Sequence, residues 1–201
     1  MQFEPPLQQA TLRRRYKRFL ADIELPDGSV ITLHCPNTGS MKNCQQPGSR
    51  VWYSTSNNPK RKYPHTWQIV EVDSAWLVGI NTGLANTLVR EAIESGVVKQ
   101  LQGYPLLRTE VPYGEQNSRV DIVLEKPESG ATDCCYVEVK NVSLGLANGI
   151  GSFPDALTIR GQKHLQELMH MQSQGHRSVL FFCVQHNGIE SVTPADDIDP
   201  E

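Results

Sequence analysis

The chain of 201 residues has room for one large domain or two small ones, and its 20% charged and 38% hydrophobic residues are ordinary for a soluble globular protein. No apolar run is long enough to cross a bilayer, and the N-terminal MQFEPPLQQATLRRRYKRFL lacks the basic start and long apolar core of a signal peptide, so a cytoplasmic protein without membrane partners is expected. The net charge of −3 is segregated: residues 1–62 hold ten Lys/Arg and four Asp/Glu, a net of +6, whereas residues 63–201 hold nine and eighteen, a net of −9. Such asymmetry points to two parts with different tasks. The five cysteines (Cys35, Cys44, Cys134, Cys135 and Cys183) are odd in number and form no C-x-x-C pair, which argues against a disulfide framework or a zinc ribbon.

In RRRYKRFLADIEL, residues 13–25, Phe19, Ala21, Ile23 and Leu25 alternate with polar residues, the period of a half-buried strand. PDG marks a turn, and SVITLHC, RVWYSTS, TWQIVEV and AWLVGI follow as further strands, separated by the loops PNTGSM and NNPKRKYPH. Five short strands with turns between them predict a small β-barrel, for which the oligonucleotide-binding (OB) fold is a candidate. The pattern changes after Ile80, which puts a domain boundary near residue 82. GLANTLVREAIESG has helical spacing, and LLRTEVPY, SRVDIVLE and CCYVEVKNV read as strands, the last two joined by a turn at PESGAT. A long helix is predicted within DALTIRGQKHLQELMHMQSQG, with Leu157, Leu165, Leu168, Met169 and Gln172 near one stripe and Asp155 as its cap. The apolar run SVLFFCV predicts a strand buried on both faces, and the acidic end DDIDPE a loop.

One strand breaks its apolar pattern. In CYVEVKNVSL, Glu138 and Lys140 are two residues apart and leave the same face. If this strand and SRVDIVLE pair about a turn centred between Ser129 and Gly130, Asp121 stands opposite Glu138, with Cβ atoms ~5 Å apart. Two carboxylates that close need a positive neutraliser, and a hard divalent cation, Mg2+ (or Mn2+), suits them. The ion would polarise a phosphoryl oxygen, and Lys140 would orient water or stabilise charge on the phosphate. The E-x-K pattern alone is weak, since such pairs are commonly solvated ion pairs; the combination of acid, hairpin, E-x-K and following helix is more specific.

The order helix, three strands, helix, strand, carrying Asp121, Glu138 and Lys140, resembles the PD-(D/E)XK nuclease-like fold. The stretches RYKRFLAD, HCPNTGSM, VWYSTS, KRKYPHTW, YVEVKNVSL, FPDALTIRGQKHLQEL and VLFFCVQH together resemble the sugar fermentation stimulation protein A family. That resemblance implies a mixed α/β architecture: an N-terminal OB-like β-barrel over residues 1–82, then an α/β PD-(D/E)XK nuclease-like domain over 83–201. It also implies DNA binding and a regulatory role in sugar (maltose) metabolism; the fold leaves a metal-dependent nuclease acting on DNA or RNA as the alternative. Asp121, Glu138 and Lys140 match the fold's central acid and E-x-K, and the helix acid is Glu91 or Glu94. Family members continue with further helix and strand, so a C-terminal truncation is expected.

Basic residues cluster as Arg13, Arg14, Arg15, Lys17 and Arg18 around Tyr16, and again as Lys60, Arg61 and Lys62. They read as a phosphate-tracking surface with Tyr16 available for stacking, which predicts non-specific, salt-sensitive binding; the alternative is a solvated strand edge. On the long helix, Lys163 is the stronger candidate to face the site, beside Gln162 and Arg160, against an ordinary polar face. His164 reads as a surface residue. His34 and Cys35 read as part of a turn rather than a nucleophilic pair. A carbohydrate-binding barrel is a third reading, with Trp52 and Trp67 stacking on sugars, although core packing is their commoner use.

Overall fold

The computed structural model describes residues 1–127 and 134–200, and the turn expected at PESGAT lies largely outside the described residues. The chain divides into two compact units. The first comprises residues 1–83, 142–156 and 184–200; the second comprises 84–141 and 157–183. The first break falls where the sequence pattern changes, but a division by chain order assigns 142–156 and 184–200 to the second domain, whereas both pack with the first unit.

The first unit is built on β1 (Gln8–Tyr16), β2 (Leu20–Glu24), β3 (Val30–His34), β4 (Arg50–Thr55), β5 (His65–Val72) and β6 (Trp76–Gly79). The order is β3-β2-β1-β4-β5-β6, and a parallel bridge from His34 of β3 to Thr66 of β5 closes the first five strands into an OB barrel. Leu12, Ile23, Leu33, Val51, Trp67, Val70 and Val78 fill its interior. The stretch 13–25, expected as one strand, is a hairpin: Lys17 and Arg18 adopt positive φ (49° and 64°) and turn β1 into β2. Alternation continues past the turn, which is why it did not reveal the break, and Phe19 at the turn is exposed rather than inward. Trp67 is fully buried and its indole N–H donates to the carbonyl of Ile69 at 2.9 Å, so it is a core residue and not a sugar platform.

Two later segments complete this unit. β10 (Ile150–Phe153) pairs in parallel with β12 (Ser191–Pro194). The run 185–187 docks on β6, with Gly79 N donating to Gln185 O at 2.7 Å and Asn187 N to Leu77 O at 3.1 Å. Gly188 is required there, because a Cβ would press into the Trp76 ring.

The second unit has a four-stranded sheet in the order β11-β9-β8-β7, from β7 (Leu106–Tyr113), β8 (Ser118–Glu125), β9 (Cys134–Val142) and β11 (Arg177–Val184). Helices α1 (Ala85–Glu94) and α2 (Ile159–Ser173) both contact β8. Ala85, Val89 and Ile93 of α1 pack on Ile122, Leu124, Cys135 and Val137, whereas Leu168 and Met171 of α2 pack with Tyr113, Val120 and Val123. The continuous apolar run of β11 does not signal burial on both faces: β11 is at the sheet edge, and Phe182 and Val184 are about two-fifths exposed (39% and 40%).

The inward stripe of α2 is His164, Glu167, Leu168 and Met171, spaced i, i+3, i+4, i+7. The expected stripe is displaced by one position, and Leu165 and Met169 point outward, the latter 60% exposed. Two polar side chains occupy buried positions, so apolar periodicity selects the wrong face. Asp155 is not the cap of α2. Thr158 is the N-cap and its hydroxyl accepts from Gly161 N at 3.0 Å, while the Asp155 carboxylate accepts from Ser40 Oγ at 2.9 Å. Thr158→Ala is therefore expected to lower stability by ~1 kcal/mol, measured by urea denaturation, with unchanged slope.

Candidate functional site

β8 and β9 pair antiparallel as Ile122↔Val137, Val123↔Tyr136, Leu124↔Cys135 and Glu125↔Cys134. One further step of this register sets Asp121 opposite Glu138. The ladder ends before that step. Instead, the Asp121 carboxylate bridges the strands, its Oδ2 accepting from Val139 N at 2.7 Å and its Oδ1 from Asn86 Nδ2 of α1 at 2.7 Å. A side chain thus replaces the main-chain pairing where the two acids meet.

Glu138 is 2% exposed. Alternation puts it on the face of β9 shared with Tyr136, which packs with the α2-side core. Lys140 Nζ donates to Glu138 Oε1 at 2.8 Å, and His164 Nδ1 of α2 donates to the same oxygen. Glu138 Oε2 is buried with no hydrogen-bond partner. Burial opposes the charged form of Glu138, but the bonds from His164 and Lys140 outweigh it and hold the carboxyl below the usual range. Asp121 goes the other way: burial, then the Glu138 charge, raise it, only partly offset by its bonds to Val139 N and Asn86. Of the two acids, Asp121 takes up a proton more readily.

Around this pair lies a scaffold of buried polar contacts. Glu167, one turn beyond His164, is 1% exposed, and its carboxylate accepts from Gln116 N at 2.6 Å and Glu115 N at 3.1 Å in the β7–β8 turn. Lys163 Nζ donates to Gln116 O of the same turn, so Lys163 anchors a loop and its ammonium is not directed at Glu138. Tyr113 donates from its hydroxyl to His164 O at 3.4 Å; burial, then the charges of Glu138, Glu167 and Asp121, push its phenol up.

Glu91 and Glu94 are both exposed, and Glu94 pairs with Arg90 at 2.9 Å. The residue through which α1 reaches Asp121 is Asn86. Glu91, five residues later, is turned away from it by ~140° around the helix. Among the described residues no group of three or more His, Cys, Asp and Glu side chains forms a metal cluster, so Glu91 does not join Asp121 and Glu138 in one. His164, Asn86, Tyr113 and Glu167 are site residues that sequence reading missed. For His164 and Glu167, the available signal was their place in the i, i+3, i+4, i+7 series with Leu168 and Met171.

The basic residues of the first unit divide into two groups. Arg15 is structural: its Nη2 donates to Arg18 O at 2.8 Å, Asn37 O at 3.0 Å and Gly39 O at 3.0 Å, and its Nη1 to Gln45 at 3.2 Å. Arg18 adds a bond to Thr38 O at 2.8 Å. The two guanidiniums hold the 37–39 loop, beside which Cys35 is buried and within which Asn37 Oδ1 accepts from Gly39 N at 2.8 Å. Tyr16 donates to Asp22 and lies beneath the Arg14 guanidinium, 4.9 Å from ring centroid to Cζ. Arg13 pairs with Glu24 and Arg14 with Asp22, yet their side chains remain 58% and 69% exposed. Lys17, Lys60, Arg61 and Lys62 are exposed, with Arg61 donating to Thr66 at 3.0 Å and Lys62 over the Tyr63 ring.

Two measurements check this geometry. Gly114 has φ +66°, and a Cβ there would overlap Glu167 Oε2. Gly114→Ala should therefore cost at least ~1–3 kcal/mol in denaturant unfolding, by adding left-handed strain to the loss of the carboxylate clamp. In chelator, wild-type stability should rise relative to Asp121→Asn as pH falls from 7 to below 4. A raised carboxyl contributes stability below its unfolded pKa and loses it as pH rises through the folded one, so the ionised acid is the penalised form. Thermal unfolding across this range reads the difference.

The family model described as "Sugar fermentation stimulation protein RE domain" matches residues 83–201, and that described as "SfsA N-terminal OB domain" matches residues 14–80. The sugar fermentation stimulation protein homolog of Shewanella baltica (strain OS185) is 61% identical over 201 residues, covering 100% of this chain and 84% of the relative. The homolog of Shewanella loihica is 60% identical over the same coverage. The solved structure of Pyrococcus furiosus SfsA in complex with Ca2+ superposes with a TM-score of 0.85 at 23% identity, covering 100% of this chain and 81% of that one, a likeness of fold. With both of its parts matched and relatives near three-fifths identity along its whole length, the chain belongs to the sugar fermentation stimulation protein A family.

Proposed function

We propose that this protein is a cytoplasmic, largely sequence-non-specific DNA-binding protein of regulatory type. Its second unit holds a divalent cation at Asp121 and Glu138, against which a phosphodiester is seated. The observation that carries the reading is the buried, unpartnered Oε2 of Glu138, with a second carboxylate, Asp121, near enough to feel the Glu138 charge. A buried carboxylate oxygen without a donor calls for a positive partner, and Mg2+ is commonly bound by one or two carboxylates plus water. That the Pyrococcus furiosus SfsA was solved in complex with Ca2+ supports divalent-cation binding as a property to test here. A role in regulating sugar metabolism follows the name of the relatives.

Asp121 and Glu138 supply the anionic oxygens. Lys140, fixed on Glu138 Oε1, supplies a cation for the phosphate. A bound divalent ion would polarise a phosphoryl oxygen and lower the pKa of water. The exposed Arg13, Arg14, Lys17, Lys60 and Lys62 supply backbone contacts that carry affinity without base readout. A second reading, a metal-dependent nuclease acting on DNA or RNA, is favoured by one feature: the lysine stands on the same strand face as the acid, where it would stabilise charge developing on a phosphate.

Anisotropy titration of labelled duplex DNA, in Mn2+ and in chelator, tests the binding reading. Mn2+ should tighten binding in the wild type and not in Glu138→Gln; DNA affinity indifferent to Mn2+ would sink the cation assignment. Arg13→Ala and Arg14→Ala should each flatten the log K against log salt slope by ~0.9. Arg15→Ala should instead lower the thermal midpoint, because its guanidinium holds the 37–39 loop. Mn2+-dependent strand cleavage that disappears in both Glu138→Gln and Lys140→Ala would establish the nuclease.

A further inference from the structure

We infer that His164 is a positioning residue for the cation site: its Nδ1 holds Glu138 Oε1, so that Oε2 is presented as the ligand oxygen. This rests on the reading that Asp121 and Glu138 hold a divalent cation. It assigns to His164 an orienting task and not a place among the ligands.

Three observations support it. A glutamate carboxylate turns about a broad terminal torsion, so one donor alone orients it poorly. Here two donors, His164 Nδ1 and Lys140 Nζ, converge on Oε1, and Oε2 is left buried without a partner. The donors come from different elements: Lys140 shares β9 with Glu138, while His164 comes from α2. Lastly, the backbone that carries His164 is itself held. Tyr113 donates to the His164 carbonyl, Glu167 accepts from Glu115 N and Gln116 N, and Lys163 donates to Gln116 O. The polar residues on this side of α2 thus have a division of labour. Lys163 and Glu167 fasten the helix to the β7–β8 turn, and His164 uses that rigidity to aim a carboxylate. Second partners of this kind, behind the ligands, are a recurrent determinant of metal affinity.

The test is Mn2+ titration calorimetry on the full chain, comparing wild type with His164→Ala, His164→Asn, His164→Gln and, as a control on the exposed face of α2, Met169→Ala. Thermal unfolding in chelator establishes that each is folded. His164→Ala should weaken Mn2+ binding by ~10–100-fold, and Met169→Ala should leave it within about twofold. Asn places its amide nitrogen near the position of Nδ1, whereas Gln reaches toward that of Nε2. His164→Asn should therefore recover most of the lost affinity and His164→Gln should not. If His164→Ala fails to fold, the Asn–Gln contrast carries the decision. Wild-type affinity in His164→Ala, or equal affinities in the Asn and Gln variants, would overturn the inference by leaving the histidine only a space-filling role. A wild type that binds no Mn2+ would overturn the cation reading itself and the inference with it.

Discussion

A single carboxylate oxygen organises the second unit. Glu138 is buried on a strand whose neighbours are valines, a position that an unpaired charge could not occupy without a large desolvation cost. It is tolerated because Lys140 and His164 both donate to Oε1. The pairing requires a lysine two residues along the same strand and a helix that brings a histidine onto the same side of the sheet. The identities of β9 and α2 in this region are thus tied to one charge. Such an arrangement adds little stability over an apolar core of equal volume, so its presence is better explained by what the remaining oxygen can bind.

Asp121 answers a different constraint. Its two oxygens accept from a main-chain amide and from Asn86, so the carboxylate replaces part of the β8–β9 ladder. The main-chain ladder ends short of Asp121, and its carboxylate keeps the Val139 amide paired there. The opposite directions of the two acids' shifts follow from their partners: Glu138 is bonded by the Lys140 ammonium and by His164, and Asp121 receives neutral donors beside a second carboxylate. In the first unit, the same accounting reassigns the basic segment. Arg15 and Arg18 spend their donors on loop carbonyls, and the arginines that retain exposed guanidiniums sit on the strand before the turn.

Much of the second unit was legible in the sequence, because β7, β8, β9 and the core of α2 each carry their own periodicity and turn signals. The barrel was legible as a class; β1 was not, since its polar residues 13–16 run on into β2 and only the backbone at Lys17 and Arg18 marks the corner. The helix residues of the site were the poorest reading. Glu91 and Glu94 are exposed on α1, while Asn86, which has no charge to attract attention, reaches Asp121. His164 and Glu167 hid in the buried stripe of α2 because a polar residue at an inward position reads as a gap in the pattern.

What the sequence alone determined was that the strands carrying Asp121 and Glu138 are antiparallel neighbours, since in a hairpin the register counts inward from the turn; the ladder runs as far as Ile122↔Val137. It also determined that Lys140 shares the face of Glu138, since alternation along a strand is local. Which helix residues meet those acids was decided only by the tertiary structure, as was the return of 142–156 and 184–200 to the barrel. Those outcomes depend on how a helix is rotated and where a crossing segment finds a matching surface, and both are set by contacts between residues far apart in the chain.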